Sequence, residues 1–299
     1  MTATLYASTD TSAPTLNNTA GSLSALLKAC LVDGYGSMAA AGWASDYSDA
    51  NYRTFRAPSG LRCYLRLYDY TASNSCAVSG YETMTSTTAG TNAFSYSGQC
   101  YFSKTSSGVA RAWYVGANQT AFWYWTQYDA TSNYGHGWWG YFGDLAGAAT
   151  LDIYHTTLIA AGSYQADLKD VYTDTNTIDG HTCARSYGGD FIDSRVSKTA
   201  DRRCGAYIGA GLIPYPHVDG YLWLSPIRIF RPEETLTERA CIRGNLQGVH
   251  APMHTKPVTH GDTFTGVTGS PYDGKSFLAL NINSIGGRQQ LIVETSNTW

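Results

Sequence analysis

The chain has 299 residues, enough for one large or two ordinary domains, each able to bury its own core. Apolar residues are 43% of it but charged ones only 14%; with 31 Gly and 23 Tyr this excludes a disordered polyanion and points to a mainly β protein. A formal charge of −3 supplies no basic footprint, so nucleic acid is not an expected partner.

Taken in chain order, the opening "MTATLYASTD" has neither the basic nor the apolar region of a signal peptide. In "GSLSALLKACLVDGYG", Leu23, Leu26, Leu27, Cys30 and Leu31 recur at helical spacing. That predicts an amphipathic helix over residues 22–33, with Ser22 as N-cap and Gly34 just past its end. Its single apolar face must dock on something, most simply a sheet. The pattern then changes to period two in "NYRTFRAP", "LRCYLRLYDYT" and "CAVSGYETM". In the middle run Leu61, Cys63, Leu65 and Leu67 share one strand face, and Arg62, Tyr64, Arg66 and Tyr68 share the other.

"VARAWYVGANQTAFWYWTQ" predicts a hairpin turning at Gly116-Ala117-Asn118-Gln119. On its second strand Phe122, Tyr124 and Thr126 face one way, and Trp123, Trp125 and Gln127 the other. Both faces are aromatic, so both must be covered: by a core on one side, and by the helix, a second sheet or another subunit on the other. "GHGWWGYFGD" adds Trp138 and Trp139. The texture loosens over residues 143–200, which places a boundary near 145–160 and divides the chain into β-rich domains over 1–150 and 151–299. Strands are expected again at "CGAYIGAGLIPYP" and "GYLWLSPIRIF", and a second hairpin around Ser284-Ile285-Gly286-Gly287. "RPEETLTERA" reads as a short helix or an exposed turn. The fold class is therefore mainly β, a sandwich or barrel-like arrangement with one N-terminal helix. No apolar run is long enough for a membrane-spanning helix.

The chemistry is sparse. Seven cysteines without C-x-x-C spacing predict reduced, mostly buried thiols in a protein made in a cytosol. Sequons at Asn17 and Asn118 would matter only on a secretory route. His250, His254, His260 and Asp262 are the most metal-like group, but Pro252 and Pro257 break the helix that an H-x-x-x-H pair needs. Asp170, Asp174, Asn176 and Asp179 suggest calcium, yet the EF-hand spacing fails. Neither set is assigned a metal, and no cofactor is expected. Glu82, Glu233, Glu234, Glu238 and Glu294 are scattered, and there is no nucleophile elbow or zinc-protease signature, so no catalytic residue is nominated. Trp123, Trp125, Trp138 and Trp139 could stack on sugars, because an indole offers a flat apolar face and one donor. Without a convergent set of polar groups in a pocket, packing in a core or a subunit interface is the favoured reading of them.

The chain resembles a family of virion structural proteins of tailed bacteriophages. The likeness lies in residues 11–43, "TSAPTLNNTAGSLSALLKACLVDGYGSMAAAGW", and in "YLRLYDY", "VSGYETMT" and "ARAWYVGANQTAFWYW". It continues in "IRGNLQGVHAPMH", "GDTF", "SFLALNI" and the final "VETSNTW". Residues 160–200 depart from it, and "SNYGHGWWGYFGD" is richer in tryptophan than the family's aromatic segment. The resemblance implies a non-enzymatic component of the virion, assembled in the host cytoplasm with copies of itself and other tail proteins. It implies the tail tip, baseplate or fibre region, with the head or head–tail junction as the alternative within that class, and it carries no catalytic residue. On this reading the aromatic stretches serve core and intersubunit packing, and Trp299 plugs into an adjacent surface. The alternatives from other classes are a carbohydrate-binding module reading host surface glycans, and a polysaccharide depolymerase.

Overall fold

The computed structural model describes residues 2–94, 100–128, 137–161, 180–185, 189, 191–192, 222–231, 241–252, 258–282 and 289–299. Its elements begin with β1 (Thr4–Ala7) and helix α1 (Ser22–Lys28), which a π-helical turn continues over Ala29–Asp33. Then come β2 (Tyr52–Arg56), β3 (Tyr64–Tyr68), β4 (Ser75–Met84), β5 (Gly90–Ala93), β6 (Tyr101–Ser103), β7 (Trp113–Ala117), β8 (Ala121–Gln127) and β9 (Gly137–Asp144). The rest are β10 (Thr156–Ala161), β11 (Gly180–Arg185), β12 (Phe191–Ile192), β13 (Leu224–Arg231), β14 (Cys241–Pro252), β15 (Thr263–Thr265), β16 (Ser276–Ile282) and β17 (Gln289–Glu294).

These strands form three antiparallel sheets, and the architecture is mainly β and sandwich-like. A central sheet runs β1-β7-β8-β9-β10-β11-β12, a second runs β2-β3-β4-β5 with β6 also on β4, and a third runs β13-β14-β17-β16-β15. One face of β8 and β9 sends Phe122, Tyr124 and Phe142 into a core shared with α1 and with Phe55, Leu65 and Leu67 of the second sheet. The opposite face sends Trp123, Trp125 and Trp139 into a second core with Ile229, Leu280, Leu291 and Val293 of the third sheet. The doubly aromatic strand is thus the middle layer of three, and period two is the reason each ring set meets a different sheet.

Glycines opposite the rings make room for them. A β-carbon on Gly116 would lie 2.4 Å from the Trp123 ring, and one on Gly137 would lie 1.9 Å from Trp125 Nε1. A side chain at either position would push an indole out of a close-packed layer.

The β2, β3 and β4 strands, the β7–β8 hairpin, strand β13 and the pairing of β16 with β17 follow the sequence pattern. Three details differ. The first hairpin turns at residues 118–121, where Asn118 Oδ1 accepts from the N–H groups of both Thr120 and Ala121 at 2.8 Å. The helix begins without Ser22 as its cap: Gly21 holds that place, and Asp69 Oδ2 accepts from Leu23 N and Ser24 N at 3.1 Å each. Strands β10 to β12 continue the central sheet past residue 150, so the change of sheet falls between β12 and β13. The strand expected at "CGAYIGAGLIPYP", the segment "RPEETLTERA" and the turn at Ser284–Gly287 lie outside the described residues.

Candidate functional site

Each nominated tryptophan is accounted for inside the chain. Trp123, Trp125 and Trp139 are 0% exposed and Trp138 2%, so they offer neither a glycan platform nor an intersubunit surface. Burial between two sheets removes the water-facing ring that stacking on a sugar requires. Trp125 Nε1 donates to Asn281 O at 2.8 Å, and Trp138 meets Tyr128 edge to face at 5.3 Å. Trp299 also turns inward. Its ring lies over Gly248, whose β-carbon would sit 2.6 Å away, and its carbonyl accepts from Asn118 Nδ2 at 3.2 Å. The expected plug fills a socket of its own chain.

Asn118 joins the layers at this end. It donates to Gln247 Oε1 at 2.7 Å, and its carbonyl accepts from Trp43 Nε1 at 2.7 Å. With 1% exposure it is no surface glycosylation acceptor. Sequence reasoning missed this hub because its partners lie 75 and 129 positions away.

The histidines do not converge. His250 is buried on β14 between Tyr272 and Phe277, with ring centroids at 5.3 and 5.6 Å, whereas His260 packs on Trp125 at 5.0 Å. Burial lowers both their pKa values, that of His250 to about 4. Among the described residues no three His, Cys, Asp or Glu groups gather as metal ligands. His254, Asp170, Asp174, Asn176, Asp179, Glu233, Glu234 and Glu238 lie outside them. Glu82 pairs with Arg185 beside the second sheet, and Glu294 with Lys275 at 2.7 Å in the third. The two carboxylates are therefore committed to separate ion pairs.

A polar seam joins the second and central sheets. Asp144 accepts from Leu61 N at 2.8 Å and from Thr156 Oγ1 at 2.5 Å, and His155 Nε2 stands 3.8 Å from it. Cys63 borders this seam, but burial pushes its thiol up to about 12. It stays protonated at neutral pH and is not an activated nucleophile. The side chains of Cys30, Cys63, Cys76, Cys100 and Cys183 are buried, and those of Cys100 and Cys183 meet at 3.4 Å.

An open concavity lies on the third sheet. The outward face of the third sheet, turned away from the central layer, carries Phe277, Ala279 and Ile292. Phe264 stacks on Phe277 at 5.5 Å, and Tyr272 meets Phe277 edge-on at 5.6 Å. Beside these rings a groove of about 970 Å³ opens, flanked by Trp223 and by the loop over residues 266–272. Trp223 is 46% exposed. Thr263, Thr265, Thr268 and Ser270 contribute hydroxyls, and Asp262 the one charged side chain among the described lining residues.

The loop is held by its own bonds. Gly266 N donates to Lys275 O at 2.8 Å, Ser270 N to Val267 O at 3.0 Å and Gly269 N to Asp273 Oδ2 at 2.9 Å. Gly266 is obligatory here, since a β-carbon would fall 1.6 Å from Tyr272 O. Tyr272 Oη reaches Leu224 O at 3.5 Å, which brings the loop to the start of β13. The groove thus combines flat apolar surface, several donors and acceptors, and a framed wall, the usual ingredients of a small-ligand site.

No protein-family model matches this chain, and no curated protein matches it. No helix among the described residues is long and apolar enough to cross a membrane.

Proposed function

We propose that the chain is a non-enzymatic structural component of a tailed-phage virion, in the tail tip, baseplate or fibre region, assembled in the host cytoplasm with copies of itself and neighbouring tail proteins. One observation carries this reading: the segments that resemble the phage family coincide with the framework. They include α1, β3, most of β8, the bulk of β14 and all of β16. A likeness concentrated in core-forming elements supports a shared scaffold rather than a shared reaction.

Assembly cannot use the aromatic stretches, whose rings are inside. Leu151 and Ile153, 92% and 61% exposed between β9 and β10, are apolar side chains still open to a neighbour. The test is light scattering on the purified protein, alone and mixed with purified tail-tip proteins. A stable trimer or hexamer, or a co-eluting mixture, is the expected result. A monodisperse monomer that ignores those proteins would overturn the assembly reading.

A second reading, a carbohydrate-binding module that recognises host surface glycans, loses Trp123, Trp125, Trp138 and Trp139. It is favoured instead by the groove beside Trp223.

A further inference from the structure

We infer that the groove on the outward face of the third sheet is a binding site for an uncharged oligosaccharide, with Trp223 as the stacking residue. This rests on the second reading above and goes beyond it by naming the residues and the ligand class.

The argument begins with shape. A cavity of about 970 Å³ falls within the roughly 300–1,000 Å³ typical of small-ligand clefts. Its chemistry is two-sided. A pyranose has an apolar face of C–H groups and a rim of hydroxyls, and it needs a flat apolar wall together with hydrogen-bonding groups around it. Trp223, Phe264 and Tyr272 provide ring surface; Thr263, Thr265 and Ser270 provide side chains that both donate and accept. Trp223 is the accessible ring, while Phe264 is half-buried against Phe277.

Charge decides the class. Among the described lining residues there is no Lys, Arg or His, and Asp262 is the one ionised group. An acidic sugar, a phosphate or a nucleic acid would bring its negative charge beside that carboxylate with no cation among the described lining residues to offset it. A neutral sugar hydroxyl, by contrast, can donate to it. Asp262 is already held in place, accepting from Thr259 N at 2.8 Å, so it meets a ligand as a fixed acceptor.

Geometry also disfavours an added peptide strand. Of the two sheet edges that reach the groove, β15 is only 3 residues long and β13 lines it only with its first residue, Leu224, which leaves little backbone there for a partner strand to pair with. The walls are set in advance by the bonded loop over residues 266–275, so little ordering is required on binding.

Isothermal titration of the intact protein with cellohexaose, mannohexaose and chitohexaose, and with an alginate hexamer as the acidic counterpart, tests this. Saturable binding of at least one uncharged hexaose is expected, weakened about tenfold or more by Trp223→Ala and largely retained by Trp223→Phe. Trp223 is partly exposed, so its replacement leaves both cores intact; Tyr70→Ala, at another exposed ring, should leave binding unchanged. Binding of the alginate hexamer alone would overturn the uncharged class while keeping the carbohydrate reading. Silence to all four at millimolar concentration would overturn this inference and the second reading together. If Trp223→Ala instead reduces self-association in light scattering, the groove is a subunit contact and the inference falls, while the assembly reading stands.

Discussion

Trp125 and Trp139 face each other directly across β8 and β9, yet their indoles are treated differently. Trp125 donates to Asn281 O, whereas Trp139 Nε1 is buried with no acceptor among the described residues. Replacing either with Phe removes similar area, but only Trp125→Phe also breaks the buried indole's hydrogen bond to Asn281 O. We expect Trp125→Phe to cost about 1–2 kcal/mol more than Trp139→Phe in urea unfolding. Equal losses would show that area alone matters there. His250 gives a pH signature. Burial lowers its pKa most, the nearby Lys275 lowers it further, and Glu294 opposes them. Its folded value of about 4 lies below the unfolded 6.5, so the unfolded chain binds the proton first. The stability linked to neutral His250 is complete above pH 6.5 and is lost as pH falls from 6.5 through 4, on the order of 3 kcal/mol in all. Thermal melts from pH 7 to 4 should fall more steeply for the wild type than for His250→Gln. Parallel curves would remove His250 from the account.

The clearest lesson at the level of elements is α1. Its apolar spacing is written in the sequence, and Leu23, Leu26 and Leu27 are buried as that spacing requires. It starts at Ser22 as expected, but its cap is Gly21 rather than Ser22, and the groups that satisfy its first N–H donors come from Asp69, 46 positions on from Leu23. Asp69 also receives Lys104 Nζ at 2.7 Å, in an ion pair whose side chains are 1% and 0% exposed. Asp69→Ala should therefore cost about 3–5 kcal/mol, since it uncaps the helix and leaves a buried ammonium unpaired. Ser22→Ala, which removes only a bond to Asn17 O, should cost about 1 kcal/mol. The two midpoints in urea rank the residues. If Ser22→Ala proves the costlier, the cap has been misassigned.

Across the whole molecule, two cores share one aromatic sheet, and residues distant in sequence lock the layers. Ala3 N donates to Asn297 O at 3.0 Å, and Trp299 closes over Gly248 between the central and third sheets. Trp299→Ala should lower stability by about 1–3 kcal/mol while leaving the oligomeric size in light scattering unchanged. A change in size without a change in melting temperature would return Trp299 to the intersubunit role first expected of it.

Local patterning was enough for much of this protein. Alternation in "LRCYLRLYDYT" identifies the buried face of β3, because a strand's period is two wherever it lies. The same rule shows that "AFWYW" has two covered faces, and the doubled hairpin signals assign β7–β8 and β16–β17. Periodicity says which side chains share a face but nothing about what meets that face. That is why four tryptophans could be read as core, interface or sugar platform until the third sheet was seen lying on them. The groove was illegible for a related reason. Trp223 precedes β13 at one edge of the third sheet and Phe264 belongs to β15 at the other, so only the folded sheet and the loop reaching Leu224 bring them to one groove. Backbone alternation is a local property and can be read along the chain; a binding surface built from both edges of a sheet exists only once the chain has folded.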